Sequence, residues 1–112
     1  MVKEIEYYTT QDGKCPYIDW FKTLSREYQS KVIKQVNRLE DGLYGDCKKL
    51  TNSKLSELRL TFGKGYRIYF KELDNVIILI VAGGDKSDQK RTIKQADKYL
   101  EDYFNRSKNN DN

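Results

Sequence analysis

Apolar and polar positions along the chain change their period twice. Residues 2–8, VKEIEYY, alternate as a first strand, and TTQDGK after them reads as a turn. Pro16 suits the first position of a helix, and Tyr17, Trp20, Phe21 and Leu24 follow at helical spacing, which predicts a helix with aromatic residues in the core. A second helix is predicted over 26–43, with Tyr28, Val32, Val36, Leu39 and Leu43 in one stripe and Lys and Arg opposite. Gly42 and Gly45 bracket its end.

From about residue 48 the period becomes two. A short strand and a longer one lead to Gly63-Lys64-Gly65, a hairpin turn whose glycines permit positive φ, and YRIYFKEL runs back. Asp74 and Asn75 form another turn. Val76 to Ala82 is apolar on both faces, so this strand should be central and covered. A last helix follows with Ser87 as its N-cap and Ile93, Ala96, Leu100 and Tyr103 or Phe104 as its inner stripe. Residues 105–112 read as a frayed tail. The expected fold is a single α+β domain over 1–104: an antiparallel meander with two N-terminal helices packed on one face and a C-terminal helix. Leu58, Leu60, Phe62, Tyr66, Ile68 and Phe70 should face the helices, and Glu57, Arg59, Arg67 and Tyr69 should line an open face.

Charge sharpens this picture. The 112-residue chain carries +4, yet residues 48–71 hold seven cations against Glu57 alone, a local +6. Such an excess points to an anionic partner, nucleic acid or an acidic peptide, or to a lysine-rich solvated face. Histidine is absent, which excludes Ser-His-Asp and Cys-His machinery and leaves no ordinary zinc site; no metal or cofactor is expected. Cys15 and Cys47 fit no ligand spacing and read as reduced thiols of a cytoplasmic protein. The opening residues are not a signal peptide, and the longest apolar run is far short of a membrane span.

The hairpin carries the chemistry. Arg59 and Arg67 fall on connected strands with side chains on one face, where they repel unless an anion lies between them. Glu57 as that anion gives a structural salt-bridge network; a phosphate gives a binding site. Lys86 follows Gly83-Gly84 at the start of the last helix, where free amides favour anions, with Asp85 as its local partner or as part of the turn. Gln89 and Lys90 can reach the same region. Tyr69 can stack on a base or donate a hydrogen bond. Gly-Gly-Asp-Lys-Ser is not a phosphate loop, because Asp85 separates Gly84 from Lys86.

LSELRLTFGKGYRIYF followed by VIILIVAGGDKSDQKRTIKQADKYL resembles the RelE/ParE superfamily of toxins from type II toxin–antitoxin modules, and more closely its HigB-like, phage-derived branch of addiction module killer proteins. The resemblance runs from Pro16 to the last helix. It implies a RelE-like fold, a cognate antitoxin that is a helix-turn-helix DNA-binding protein, and cleavage of mRNA in the ribosomal A site by a metal-independent endoribonuclease. It casts Arg67 as transition-state stabiliser and Lys86 as the basic residue after the strand-ending glycine. Arg59 and Glu57 complete the catalytic set, and Lys54, Lys64, Tyr69, Gln89 and Lys90 are the RNA-binding candidates. The chain departs from the ribonuclease pattern in having Leu55 and Glu57 where that pattern has lysines, and Thr92 at the place of a late tyrosine. Glu57 is then either a base or an orienting group for Arg59 or Arg67. The same fold serves ParE-like gyrase poisons, and an inactive toxin-like binding module is the third reading.

Overall fold

A computed structural model describes residues 3–74 and 77–110, with side chains of 108–110 excepted. Val2, Asn75 and Val76, with the strand and turn expected at them, and the last two tail residues lie outside the described residues. The elements are β1 (Glu4–Tyr7), α1 (Pro16–Lys22), α2 (Arg26–Glu40), β2 (Cys47–Lys49), β3 (Ser56–Arg59), β4 (Arg67–Leu73), β5 (Ile77–Gly84), a 3₁₀ turn (Lys86–Asp88) and α3 (Gln89–Asn110). They form the expected α+β domain, with a sheet in the order β1-β5-β4-β3-β2. β2 to β5 are the antiparallel meander, and β1 adds to β5 in parallel.

Local signals set the helix ends. Pro16 occupies the first turn of α1, and the Ser25 hydroxyl accepts from the Tyr28 amide at the start of α2. α2 ends at Glu40 because Gly42, at φ +80°, lets the chain turn back: the Gly42 amide donates to Leu39 and the Leu43 amide to Arg38. Leu43 therefore leaves the predicted stripe and is exposed. Ser87 does not cap the last helix but lies inside the 3₁₀ turn before it. Asp85 caps that turn, its carboxylate accepting from the Ser87 amide at 2.8 Å while its own amide donates to Asp88.

The sheet is covered on both faces. Tyr17, Val32, Val36 and Leu39 of α1 and α2 pack on Leu58, Ile68, Phe70, Ile78 and Ile80. Ala96 and Leu100 of α3 pack on the opposite face, over Tyr69, Leu79, Val81 and Ala82. A register shift between Tyr69 and Phe70 passes over Val81, so Val81 and Ala82 both join the α3 side. The open face of the sequence reading is thus largely closed by α3. Among the described residues, Arg59 and, on the edge strand, Lys48 opposite Glu57 remain accessible on that face.

The Gly83-Gly84 pair serves this two-sided packing. A Cβ on Gly83 would lie 2.2 Å from the Trp20 ring of α1, whereas one on Gly84 would meet Thr92 and Asp88 of the last helix at 3.1 and 3.3 Å. Gly83→Ala is expected to lower stability by about 1–3 kcal/mol through overpacking against Trp20. Urea unfolding followed by Trp20 fluorescence measures it.

α3 runs through residues 105–110, past the point where the tail was expected to fray. Arg106 explains part of this. It pairs with Asp102 at 2.9 Å, donates to the Thr9 carbonyl and lies over the Tyr8 ring. The Tyr8 hydroxyl donates to Asp102 at 2.6 Å, and Tyr103 donates to Glu6 at 3.0 Å. Burial first, then the Asp102 bond and charge, push the Tyr8 phenol from 10.0 to about 12. The native state therefore holds that proton more tightly than the unfolded chain. The stability this contributes is complete below pH 10 and is lost as pH rises through about 12. Urea midpoints across that range should fall with pH, and Tyr8→Phe should make the fall shallower.

Candidate functional site

β3 and β4 place Arg59 directly opposite Arg67 and Glu57 opposite Tyr69, all toward α3. Glu57 is the hub and is fully buried. Its Oε1 receives the Arg59 Nε at 3.3 Å and faces the Arg67 Nη1 at 3.6 Å. Its Oε2 accepts from the Gln89 Nε2 at 2.7 Å. One carboxylate thus lies between two guanidiniums that would otherwise repel across the strand pair, leaves the three groups at a net +1, and ties the sheet to the first turn of α3.

The two arginines differ in exposure. The Arg67 side chain is 13% exposed and that of Arg59 41%. Arg67 lies opposite Gly84, whose missing side chain lets Thr92 of α3 and Asp88 of the 3₁₀ turn pack close to the sheet. Its Nε is buried without an acceptor among the described residues. This guanidinium is held in place but not saturated.

Lys86 opens the 3₁₀ turn beneath the hairpin tip. Its amide faces the Lys64 carbonyl at 3.3 Å, and a Cβ on Gly65 would lie 3.1 Å from the Lys86 Cβ, so the hairpin tip rests on the 3₁₀ turn. The Lys86 side chain is exposed, in a shallow hollow with Lys90 and Arg91. The amides expected to await an anion here are engaged in part by Asp85 and Asp88. Asp85 is the turn residue of the two roles considered. The Ser87 bonds, and beyond them the Lys64 charge, hold its carboxyl below the usual range.

The remaining candidates divide. Gln89 joins the cluster through Glu57, and Lys90 and Lys64 are exposed at its rim. Lys54 does not join: it lies on the β2–β3 loop, beside Ser53, Asp97 and Glu101. Tyr69 is fully buried and offers no ring face to a base. Burial first, then the charge of Glu57, raises its phenol well above the usual range, so it stays neutral. Arg91, 83% exposed and paired with Asp88 at 3.8 Å, is a rim cation that spacing did not single out. Gln89 could have been ranked higher, since it lies one turn before Ile93 on the inner stripe of α3.

No model of a known protein family matches the chain. An uncharacterized protein of Haemophilus influenzae is 41% identical over 68 residues, 61% of this chain and 68% of that protein. Among solved structures, the free state of the E. coli toxin RelE, an arginine-to-alanine double mutant, aligns with a TM-score of 0.57 over 85% of this chain and 98% of that one. Identity to it is 11%, so the likeness is one of fold, and the fold is RelE-like. No helix among the described residues is long and apolar enough to cross a membrane.

Proposed function

We propose that this chain, which belongs to the same family as the Haemophilus influenzae protein, is the toxin of a type II toxin–antitoxin module. Its activity is metal-independent endonucleolytic cleavage of mRNA in the ribosomal A site, as in the HigB-like branch of the RelE/ParE superfamily. Its neutralising partner is an antitoxin of the helix-turn-helix class, and its place of action is the cytoplasm. The observation that carries the reading is the Arg59–Glu57–Arg67 cluster on a RelE-like fold, with Gln89 joining that cluster to the hollow that Lys86 lines.

In such a cleavage a ribose 2′-hydroxyl attacks the adjacent phosphate, and negative charge builds on its oxygens. Arg67, fixed by a buried carboxylate, is a preorganised donor for that charge, and reorganising it during the reaction costs little. Arg59, more exposed than Arg67, and the exposed Lys86 supply further positive charge. Glu57 acts as the orienting group rather than the base, because it is buried and both of its oxygens are engaged.

Induction without antitoxin tests the reading. Growth arrest with cleavage of translated mRNA supports it. Arrest with intact mRNA rejects it, and inhibition of gyrase supercoiling in that case identifies a ParE-like poison. Harmless expression identifies an inactive binding module. The product of a neighbouring short reading frame encoding a helix-turn-helix protein should co-purify with the chain.

A further inference from the structure

A second basic surface lies on the other side of the β3–β4 hairpin. The groove between α2 and the hairpin is lined by Lys31, Lys34, Arg38, Thr61 and Phe62 with two neutral amide side chains, and no carboxylate. The three cations stand at i, i+3 and i+7, so they share one helix face and span about 10 Å of axis. Lys34 and Arg38 are exposed and have no ion pair among the described residues; Lys31 pairs with Glu27 at 3.7 Å. On α3 the cations are interleaved with Asp97, Glu101 and Asp102, as on an ordinary solvated face.

The opposite wall is aromatic. Phe62 is partly exposed and stacks on Tyr28 at 5.5 Å, with the Lys31 ammonium 5.4 Å from the Phe62 ring centre. Cations in a row beside an aromatic ring are the parts from which single-stranded nucleic-acid grooves are built: charge follows the phosphates and the ring takes a base. The hairpin tip carries Lys64 between this groove and the Arg67 cluster.

We infer that the α2–hairpin groove is a second contact for single-stranded RNA, holding the backbone of the strand whose phosphate lies at Arg67 and which crosses the hairpin tip near Lys64. This rests on the reading of the Arg67 cluster as an RNA site, but not on cleavage. An acidic peptide has the charge to enter the groove, yet gains nothing from a flat ring face. RNA uses both walls.

The test is fluorescence anisotropy with the full chain and 2′-O-methyl RNA, which is not cut, using probes of about 4 and about 12 nucleotides. The pair Lys34→Glu and Arg38→Glu should weaken binding of the longer probe and reduce its log–log salt slope by about 1.4, from two lost phosphate contacts. Binding of the shorter probe should hardly change, whereas Arg67→Ala should weaken both. The milder pair Lys34→Gln and Arg38→Gln, with an unchanged circular dichroism spectrum, guards against a folding defect and should lower the slope alike. An unchanged slope on the longer probe overturns the inference. So does an equal loss on both probes, which marks a general charge effect, or loss of binding to a labelled oligoglutamate peptide with RNA binding intact. If the groove variants weaken the longer probe and Arg67→Ala weakens neither, the groove stands and the reading of the Arg67 cluster fails.

Discussion

Arg67→Ala is expected to abolish growth arrest on induction and to reduce mRNA cleavage by about 10²–10³-fold, the cost of removing one preorganised donor from a developing oxyanion. The reason lies in how the side chain is held. Arg67 faces Glu57 at 3.6 Å, is largely shielded from solvent, and sits where β5 offers only Gly84. A guanidinium so placed does not have to be collected from solution at the moment of reaction. Arg67→Lys should recover only part of the rate, since a single ammonium keeps the charge and loses the planar fork. Arg59, paired with Glu57 and with a more exposed side chain, should be less costly to remove. Cleavage mapped on translated mRNA, with urea unfolding of the same variants, separates lost chemistry from lost fold. Wild-type cleavage by a folded Arg67→Ala protein rejects the assignment.

The parts of this site were legible in the sequence to different degrees, for a physical reason in each case. Arg59, Arg67 and Glu57 share a face because the side-chain period of a strand is two and a hairpin fixes the register between neighbours. That much is local, and the structure has it as expected. What covers the face is not local. Only Asp85 and the 3₁₀ turn separate β5 from α3, and alternation within β3 and β4 carries no information about which side the helix returns on. The signal was in β5: a strand apolar on both faces needs a cover on both, so a helix layer on one face alone leaves Leu79 and Val81 in water. Reading it fully would have buried Tyr69 and Glu57 in advance. The parallel pairing of β1 with β5 joins residues more than 70 positions apart, and the short β1 pattern names no partner. Lys54 shows the opposite failure. Its place in the basic run suggested a shared face, but a run of charge does not fix which face each residue joins, and Lys54 lies on the β2–β3 loop between hollows lined by Lys49 and Lys71 and by Asp97 and Glu101.

Glu57→Gln should cost about 3–5 kcal/mol of stability, because it takes the counter-charge from a buried cluster and leaves two guanidiniums opposite each other. The amide keeps the shape and can still bond Gln89, whose own amide can turn to accept, but its remaining oxygen carries no charge to hold Arg59 and Arg67 together. Urea unfolding at low temperature measures the loss. The paired change Glu57→Leu with Arg67→Met should recover much of it, since replacing both members of a buried ion pair with apolar groups removes the desolvation cost along with the attraction. That double variant should remain inactive, which separates what the cluster does for the fold from what it does for the reaction. Kinetics then decide the role of Glu57. As an orienting group, its replacement should lower the cleavage rate at every pH and leave the shape of the pH profile unchanged, because the titrating acid and base are elsewhere. Loss of one limb of the profile in Glu57→Gln would instead assign proton transfer to Glu57 itself.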